Sequence, residues 1–392
     1  MRAPAERLRS LPPYVFLELQ RLRDGAMGQG HDVIDLTVGN PDAPVPAAAK
    51  QGLIEALDAP GAHGYPPFRG TDGFRGAVAE WYARRFDVTL DSTREVLPVL
   101  GSKEGLYHLM QAYLNPGDGV LVPTPCYPAY LGAVRLCGAE PIEVPLEPEH
   151  DFALRVEDIP TDAARAAAML IVNTPHNPTG AVIDPDGLRD VVAFARDHDL
   201  LLVSDIPYSE LVLEDEPPPP SLLSFPGARD VTVELQSLSK SHSMAGWRVG
   251  FAVGNEEALA NLAKLKSNAD FGMFRAIQDA AAAALGASDE AVAVTRRTYR
   301  ARRDVVCDAL DALGWPAKRP RAGMYVWTRL PERAGDDDQT FVRTLFERTH
   351  VLLSPGSGFG ASGRGWVRLS LVGSEQRLHE AVSRIGDSGL LD

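Results

Sequence analysis

The sequence is poor in cysteine and lacks the motifs that cysteine and histidine form around metals. Only Cys126, Cys137 and Cys307 are present, and no C-x-x-C or H-E-x-x-H pattern occurs. This excludes a disulfide framework and favours a reducing environment, so we expect a cytoplasmic protein. The nine histidines are scattered. We therefore expect no metal centre.

Long apolar runs and an excess of positive charge are also missing. Residues 1–7 lead into no apolar segment, and no uninterrupted apolar run reaches the length of a membrane span. We expect a protein that is neither exported nor embedded in a membrane. The formal net charge of −14 disfavours nucleic acid or an anionic membrane as a partner. Small molecules are the better candidates.

What is present is ordinary globular composition over a chain too long for one core. Hydrophobic residues make up 45% and charged residues 23% of 392 residues. We predict an N-terminal arm with the start of a small domain at 1–45, a large domain at 46–287 and a small α+β domain at 288–392. The alternating strands near 324–330 and 366–371 mark the small domain.

The large domain carries the pattern of a β-α-β crossover. An apolar run at 168–172 is followed by a helical pattern and by a second run at 200–205. This order predicts an α/β fold with a mostly parallel sheet flanked by helices. Ligands gather at the carboxyl ends of such strands, and Asn177, Asp205 and Lys240 each lie at or just past one. Alone, each is equally typical of a turn or cap.

The segment 237–250 holds one lysine, Lys240, with Arg248 eight residues later and no carboxylate between them. A lysine that acts as a nucleophile must lose its charge, which burial and nearby cations favour. Hydroxyls and a guanidinium suit a phosphate. The pattern indicates a reactive lysine beside an anion site, whereas a single lysine in a loop is more often simply solvated.

Three glycine- or proline-rich turns are further candidates. A predicted strand at 95–100 runs through 101–105 into a helix, which leaves free N–H groups for an anion but lacks the spacing of a P-loop or of G-x-G-x-x-G. Tyr127 lies between prolines, where its ring either stacks on a ligand or fills the core. Residues 356–360 resemble a dinucleotide loop only superficially, because no helical pattern follows, and we expect a flexible flap.

Taken together, the motifs resemble the fold-type I pyridoxal-phosphate aminotransferases of class I/II over nearly the whole chain. The matching motifs are Asn177-Pro178-Thr179-Gly180, Asp205 with Tyr208, Ser237-x-x-Lys240 with Arg248, and Arg368. Within that family, residues 11–14, 101–105 and 276–278 resemble the LL-diaminopimelate aminotransferases. Aspartate, alanine and N-succinyl-diaminopimelate aminotransferases share much of the pattern.

The resemblance implies pyridoxal 5′-phosphate as the cofactor and gives the ring-binding residues their roles. Lys240 would hold the cofactor covalently and then move the proton between the substrate Cα and cofactor C4′. Asp205 would pair with the pyridine nitrogen. Tyr208 and Asn177 would hydrogen-bond the phenolic oxygen, and Tyr127 would stack on the ring.

The resemblance also implies a phosphate site and a shared dimer. Ser102, Lys103, Ser237 and Arg248 would hold the phosphate. Tyr65 matches a tyrosine that reaches the phosphate from the neighbouring subunit, so a homodimer with shared active sites is expected.

For the substrate, Arg368 would bind the α-carboxylate with help from Asn177 and the Gly39 backbone. The expected reaction is ping-pong transfer of an amino group to a 2-oxo acid such as 2-oxoglutarate, with LL-diaminopimelate as the donor in lysine biosynthesis. The polar stretch 267–270 would recognise the donor's far end, unless it serves only a dimer interface. Two other classes use the same residues: a C–S β-lyase, and a non-catalytic regulatory domain, which the acidic charge disfavours.

Overall fold

A computed structural model of the chain describes residues 2–9, 11–12, 14–287 and 289–391. Pro13, which belongs to the segment 11–14 used above, lies outside the described residues. No helix in the described part of the chain combines the length and the hydropathy needed to cross a bilayer.

The strands in the described residues, in chain order, form one large sheet and two small ones. They are β1 Ile34–Asp35, β2 Val96–Val99, β3 Gly119–Thr124, β4 Glu140–Pro145, β5 Ala167–Asn173, β6 Leu201–Asp205, β7 Thr232–Ser237, β8 Gly250–Gly254, β9 Tyr325–Arg329, β10 Val351–Leu352, β11 Ser354–Pro355 and β12 Trp366–Ser370. The large sheet has seven strands in the order β2-β8-β7-β6-β5-β3-β4. Strand β8 runs antiparallel to the other six strands, which all point the same way.

The helices cover the sheet and build the smaller unit. They are α1 Glu6–Arg9, α2 Val15–Gly28, α3 Ala47–Leu57, α4 Asp72–Phe86, α5 Ser102–Tyr113, α6 Ala129–Leu136, α7 Thr161–Ala166, α8 Pro185–Asp197, α9 Ala228–Val231, α10 Leu238–Ser241, α11 Glu256–Ala269, α12 Arg275–Gly286, α13 Glu290–Ala312, α14 Asp338–Thr349 and α15 Glu375–Gly386.

The predicted crossover is present as β5-α8-β6, with the two strands parallel. Helix α8 begins at Pro185, in its first turn, and the Asp184 carboxylate caps it by accepting a hydrogen bond from the Gly187 N–H. Its apolar face packs on the sheet beside strands whose residues are almost all buried. The predicted α/β fold is confirmed, and the ends of β2, β3, β5, β6 and β7 lie along one edge.

The smaller unit contains an antiparallel sheet of order β11-β12-β9, and β1 pairs with β10 in parallel. Its own hydrophobic cluster joins α13, α14 and α15 to these strands. The N-terminal strand therefore pairs with the C-terminal part of the chain. The division at 45 and 287 stays a prediction.

Candidate active site

A cavity of about 350 Å³ opens where the carboxyl edge of the large sheet meets the smaller unit. It collects the predicted residues from seven separate segments. The predicted residues that line it are Gly39, Ser102, Lys103, Tyr127, Asn177, Asp205, Tyr208, Ser237, Lys240, Arg248 and Arg368. Tyr65 is the exception, because it lies on the surface with 82% of its area exposed.

Lys240 projects into this cavity from α10, a single turn that the Ser237 side chain caps by accepting a hydrogen bond from the Ser239 N–H. Its Nζ donates to the Gly39 carbonyl at 2.5 Å. Burial lowers the pKa of Lys240, and the charge of Arg368 lowers it further against the opposing effect of Tyr325. No carboxylate of the described residues lies within ion-pairing distance of Nζ, so the ammonium form has no ion-pair partner within the chain.

Asp205 ends β6 at the floor of the cavity, and its two carboxylate oxygens have different surroundings. Oδ2 accepts a hydrogen bond of 2.7 Å from the Tyr130 hydroxyl. Oδ1 is buried and accepts no hydrogen bond from any residue that the structure describes. Burial raises the pKa of Asp205 to about 6, against the lowering effects of the Tyr130 hydrogen bond and of the nearby Ser102 hydroxyl. A buried acceptor of this kind requires a donor from a bound group.

A buried amide couples two of the predicted residues. The Asn173 Nδ2 donates to the Asp205 carbonyl at 2.7 Å, and its Oδ1 accepts from the Asn177 N–H at 2.8 Å. Asn177 in turn accepts a hydrogen bond of 2.9 Å from Arg368 Nη1. Sequence reasoning missed the role of Asn173, which holds the ends of two neighbouring strands in register.

Arg368 is buried in β12 beneath a cage of aromatic rings. Its guanidinium carbon lies 3.9 Å from the ring centre of Tyr325, 4.6 Å from that of Phe359 and 5.4 Å from that of Phe16. Nη2 donates to the Thr37 carbonyl at 2.5 Å. Nε has no acceptor, and no carboxylate pairs with the guanidinium within the described residues. A buried cation without an anion is costly, so this site suits an anionic ligand.

The predicted flexible flap at 356–360 is wrong. Residues Gly356–Phe359 form a short 3-10 turn, and Phe359 is fully buried. Its ring contacts Trp327 edge to face, with the ring centres 5.6 Å apart. Glycine-rich composition suggested mobility, but a single aromatic anchors the turn over Arg368.

A second anion site lies at the start of α5. Gly101, at φ +83°, precedes the helix and offers no side-chain cap, so the first N–H groups face the cavity. A side chain at Gly101 would strain the backbone at this φ and would displace the Arg248 guanidinium from its present position. Arg248 donates to the Leu100 carbonyl at 3.1 Å, and Lys103 lies nearby. Burial and then the charge of Arg248 lower the pKa of Lys103.

The cavity is positive although the protein is acidic. Four cations line it, Lys103, Lys240, Arg248 and Arg368, against the one carboxylate of Asp205, whereas the whole chain carries −14. The two anion sites are separated by Lys240 and Asp205. This arrangement suits a ligand set with a phosphate at one end and a carboxylate at the other.

The stretch 267–270 does not reach the cavity of its own chain. The Ser267 hydroxyl and the Asn268 amide both donate to the Lys264 carbonyl in α11, and Asp270 pairs with Lys266. Within one chain this stretch lies outside the cavity, and its role in recognising the donor stays a prediction.

The chain is similar to known proteins over nearly its whole length. A family model described as aminotransferase class I and II matches residues 31–385. LL-diaminopimelate aminotransferase 2 of Trichormus variabilis is 42% identical over 387 residues, which cover 98% of each chain. Among solved structures, substrate-bound BacF of Bacillus subtilis aligns with a TM-score of 0.95 at 36% identity, covering 99% of this chain and 98% of that one. A probable N-succinyldiaminopimelate aminotransferase of Thermus thermophilus aligns with a TM-score of 0.90 at 40% identity, over 95% and 100%.

Proposed function

The chain belongs to the aminotransferase class I and II family and is a pyridoxal-phosphate-dependent aminotransferase, and from that premise we propose that it transfers the amino group of LL-diaminopimelate to 2-oxoglutarate. The site assignment rests on one observation: several polar groups in one cavity lack partners within the chain. They are a lysine without a carboxylate partner, an Asp205 oxygen without a hydrogen-bond donor, and two cationic sites without an anion. Each of these groups lacks the partner that the ligands would bring.

The residues present fit the cofactor. The orphaned Oδ1 of Asp205 would accept a hydrogen bond from the protonated pyridine nitrogen. The cradle at Gly101, with Ser102, Lys103, Ser237 and Arg248, would hold the phosphate. Tyr127 would pack on the ring, and Tyr208 and Asn177 would face its phenolic oxygen. When bound, pyridoxal phosphate supplies an electron sink for the bond that breaks at the substrate Cα.

The chain's own residues would then perform binding and proton transfer. Arg368 would bind the α-carboxylate in two hydrogen bonds, and Asn177 keeps the guanidinium oriented from the other side. Lys240, with its lowered pKa, would accept the proton from the substrate Cα and deliver it to C4′ of the cofactor on the same face. The aromatic cage over Arg368 excludes water from the pair and strengthens it.

The proposed donor rests on the relatives. The LL-diaminopimelate aminotransferases of Trichormus variabilis and Desulforudis audaxviator are 42% and 44% identical to the chain over nearly its full length. An ammonium at the far end of a donor would weaken binding by several kcal/mol if the buried site gave it no partner. A donor whose far end is matched by the site should therefore be favoured by orders of magnitude.

A comparison of kcat/KM for LL-diaminopimelate, aspartate, alanine and an aromatic amino acid tests the donor, each with 2-oxoglutarate. We expect LL-diaminopimelate to lead by about 10²-fold or more. A preference for another donor would contradict the narrow assignment and leave the aminotransferase intact. Release of pyruvate and ammonia from a cysteine conjugate, faster than any transamination, would indicate the β-lyase instead.

We further propose a homodimer with shared sites, acting in lysine biosynthesis in the cytoplasm. Tyr65 stacks on Phe271 with ring centres 4.3 Å apart, and Phe68 lies 5.4 Å from the same ring. Tyr65 is 82% exposed, Phe68 51% and Phe271 49%. Such an aromatic patch is typical of a covered interface, and a second copy would bring Tyr65 to the partner's phosphate site.

Mixed dimers test the sharing. Tyr65→Phe and Lys240→Ala subunits, each of low activity as homodimers, are unfolded together, refolded and assayed. A mixed dimer keeps one site with neither change, so we expect activity to return to about one quarter of wild type, since half of the dimers are mixed and each has one intact site. Absence of any recovery would contradict the sharing of sites.

A further inference from the structure

The hydroxyl of Tyr325 lies beside that of Tyr208 in the cavity. Tyr325 is the first residue of β9, and its ring packs edge to face on Tyr208 with the ring centres 6.1 Å apart. The Tyr208 hydroxyl donates to the Tyr325 hydroxyl at 3.4 Å. Both side chains are buried, and both line the cavity.

The Tyr325 hydroxyl is pressed against the backbone of Gly39. A Cβ at Gly39 would lie 1.9 Å from Tyr325 Oη and 2.6 Å from its Cζ, so position 39 must be glycine for the ring to enter. The Gly39 carbonyl is also the acceptor for Lys240 Nζ. The phenol of Tyr325, the Gly39 backbone and the Lys240 amine therefore meet at one point of the cavity.

Two cations face the Tyr325 ring and hydroxyl. Lys240 lies on the large-sheet side, and Arg368 covers the ring from β12 at 3.9 Å. The Tyr208 hydroxyl contacts that of Tyr325, and the phenols of Tyr14, Tyr127 and Tyr299 interact with it electrostatically. The one carboxylate lining the cavity, Asp205, is bonded to Tyr130 instead. Burial raises the pKa of the Tyr325 phenol, but Lys240, Arg368 and the hydrogen bond from Tyr208 lower it by more, so the net direction is downward.

We propose that Tyr325 is a positioning residue whose hydroxyl oxygen balances the charges of Lys240 and Arg368 and orients the Tyr208 hydroxyl until an anionic substrate arrives. The substrate carboxylate then takes over the balance at Arg368. This inference rests on the proposed role of Lys240 as the residue that holds the cofactor, and it does not depend on which amino acid is the donor.

The experiment is a pH titration of the visible absorbance of the cofactor-loaded enzyme without substrate, for wild type and Tyr325→Phe. The variant keeps the ring over Arg368 and removes only the oxygen. Since that oxygen favours a protonated nitrogen at Lys240, its loss should lower the pH midpoint by about one unit. Tyr299→Phe is the matched control, because Tyr299 is equally buried in the same cluster but does not line the cavity.

Steady-state kinetics separate this role from a structural one. In Tyr325→Phe we expect kcat to fall about tenfold while KM for the donor stays within about twofold, because Arg368 is intact. An unchanged pH midpoint in a variant that loads fully would overturn the inference, even if activity falls. If Lys240→Ala still showed the same visible band, the cofactor-lysine assignment would fail first, which distinguishes the two failures.

Discussion

Two lysines deep in the protein have opposite surroundings. Lys266 in α11 donates to Glu104 at 2.5 Å and to Asp270 at 3.0 Å, and its side chain is only 2% exposed. Lys240 has a backbone carbonyl as its acceptor, and the charges nearest to it are cations.

The difference separates a structural charge from a reactive one. Carboxylates lie on two sides of the Lys266 amine, and its ion pair with Glu104 ties α5 to α11. Lys240 has no carboxylate partner, and burial lowers its pKa, so a change in its surroundings shifts its proton more easily. Burial alone would not have told the two lysines apart, whereas the partners do.

The largest expected effect is the loss of Lys240. We expect Lys240→Ala to fold and to lose kcat/KM by on the order of 10⁴-fold, because it removes both the covalent anchor and the base. Steady-state assays with circular dichroism as the folding check measure this. Activity within tenfold of wild type would show that the unpaired lysine is not the reactive one.

Asp205→Asn should lower turnover by roughly 10²–10⁴-fold. A neutral amide cannot stabilise a protonated pyridine nitrogen, although the Tyr130 hydrogen bond can persist at the remaining oxygen. The measurement is kcat for the purified, cofactor-loaded variant. Turnover close to wild type would reduce Asp205 to a residue that merely ends β6.

Lys266→Met tests whether the second lysine has a structural role. It should leave the covalent cofactor in place but lower the free energy of unfolding by about 1–2 kcal/mol, because it removes the cation that two partly buried carboxylates share. Lys264→Met, an exposed lysine on the same helix, is the matched control and should change stability little. Equal stability of the two variants in denaturant would show that the Lys266 cluster is not structural.

The last expected effect concerns the cofactor-free protein and pH. The pKa of Asp205 is raised to about 6, so its contribution is favourable below its ordinary value near 3.8 and is lost as the pH rises through 6. Cofactor-free Asp205→Asn should therefore be more stable than wild type by about 2–3 kcal/mol at pH 8. The difference in the free energy of unfolding should shrink as the pH approaches 4. Urea unfolding at several pH values measures it, and a difference that does not change with pH would contradict the prediction.

Much of the site could be predicted because its residues interrupt apolar patterns. Asp205 and Lys240 stand at the ends of runs that read as buried strands, and Arg368 is a charge within an alternating strand. Each violates the local pattern for a core position. Parallel topology then places the strand ends on one edge, so their proximity follows without coordinates.

The residues that were missed obey the patterns of a core. Tyr130 and Tyr325 occupy regular positions of a helix and a strand, where an aromatic residue needs no special explanation. Their hydroxyls acquire roles only through tertiary contacts with Asp205 and Tyr208. Phe359 was hidden by the glycines around it, since composition reports backbone freedom and not the packing of one ring.

Borohydride reduction of the cofactor-loaded wild-type enzyme, followed by peptide mapping, tests the central contrast most directly. We expect the reduced cofactor to be attached to Lys240 alone, because that lysine has no carboxylate partner to hold its proton. Attachment at Lys266, or at any lysine outside the cavity, would contradict it.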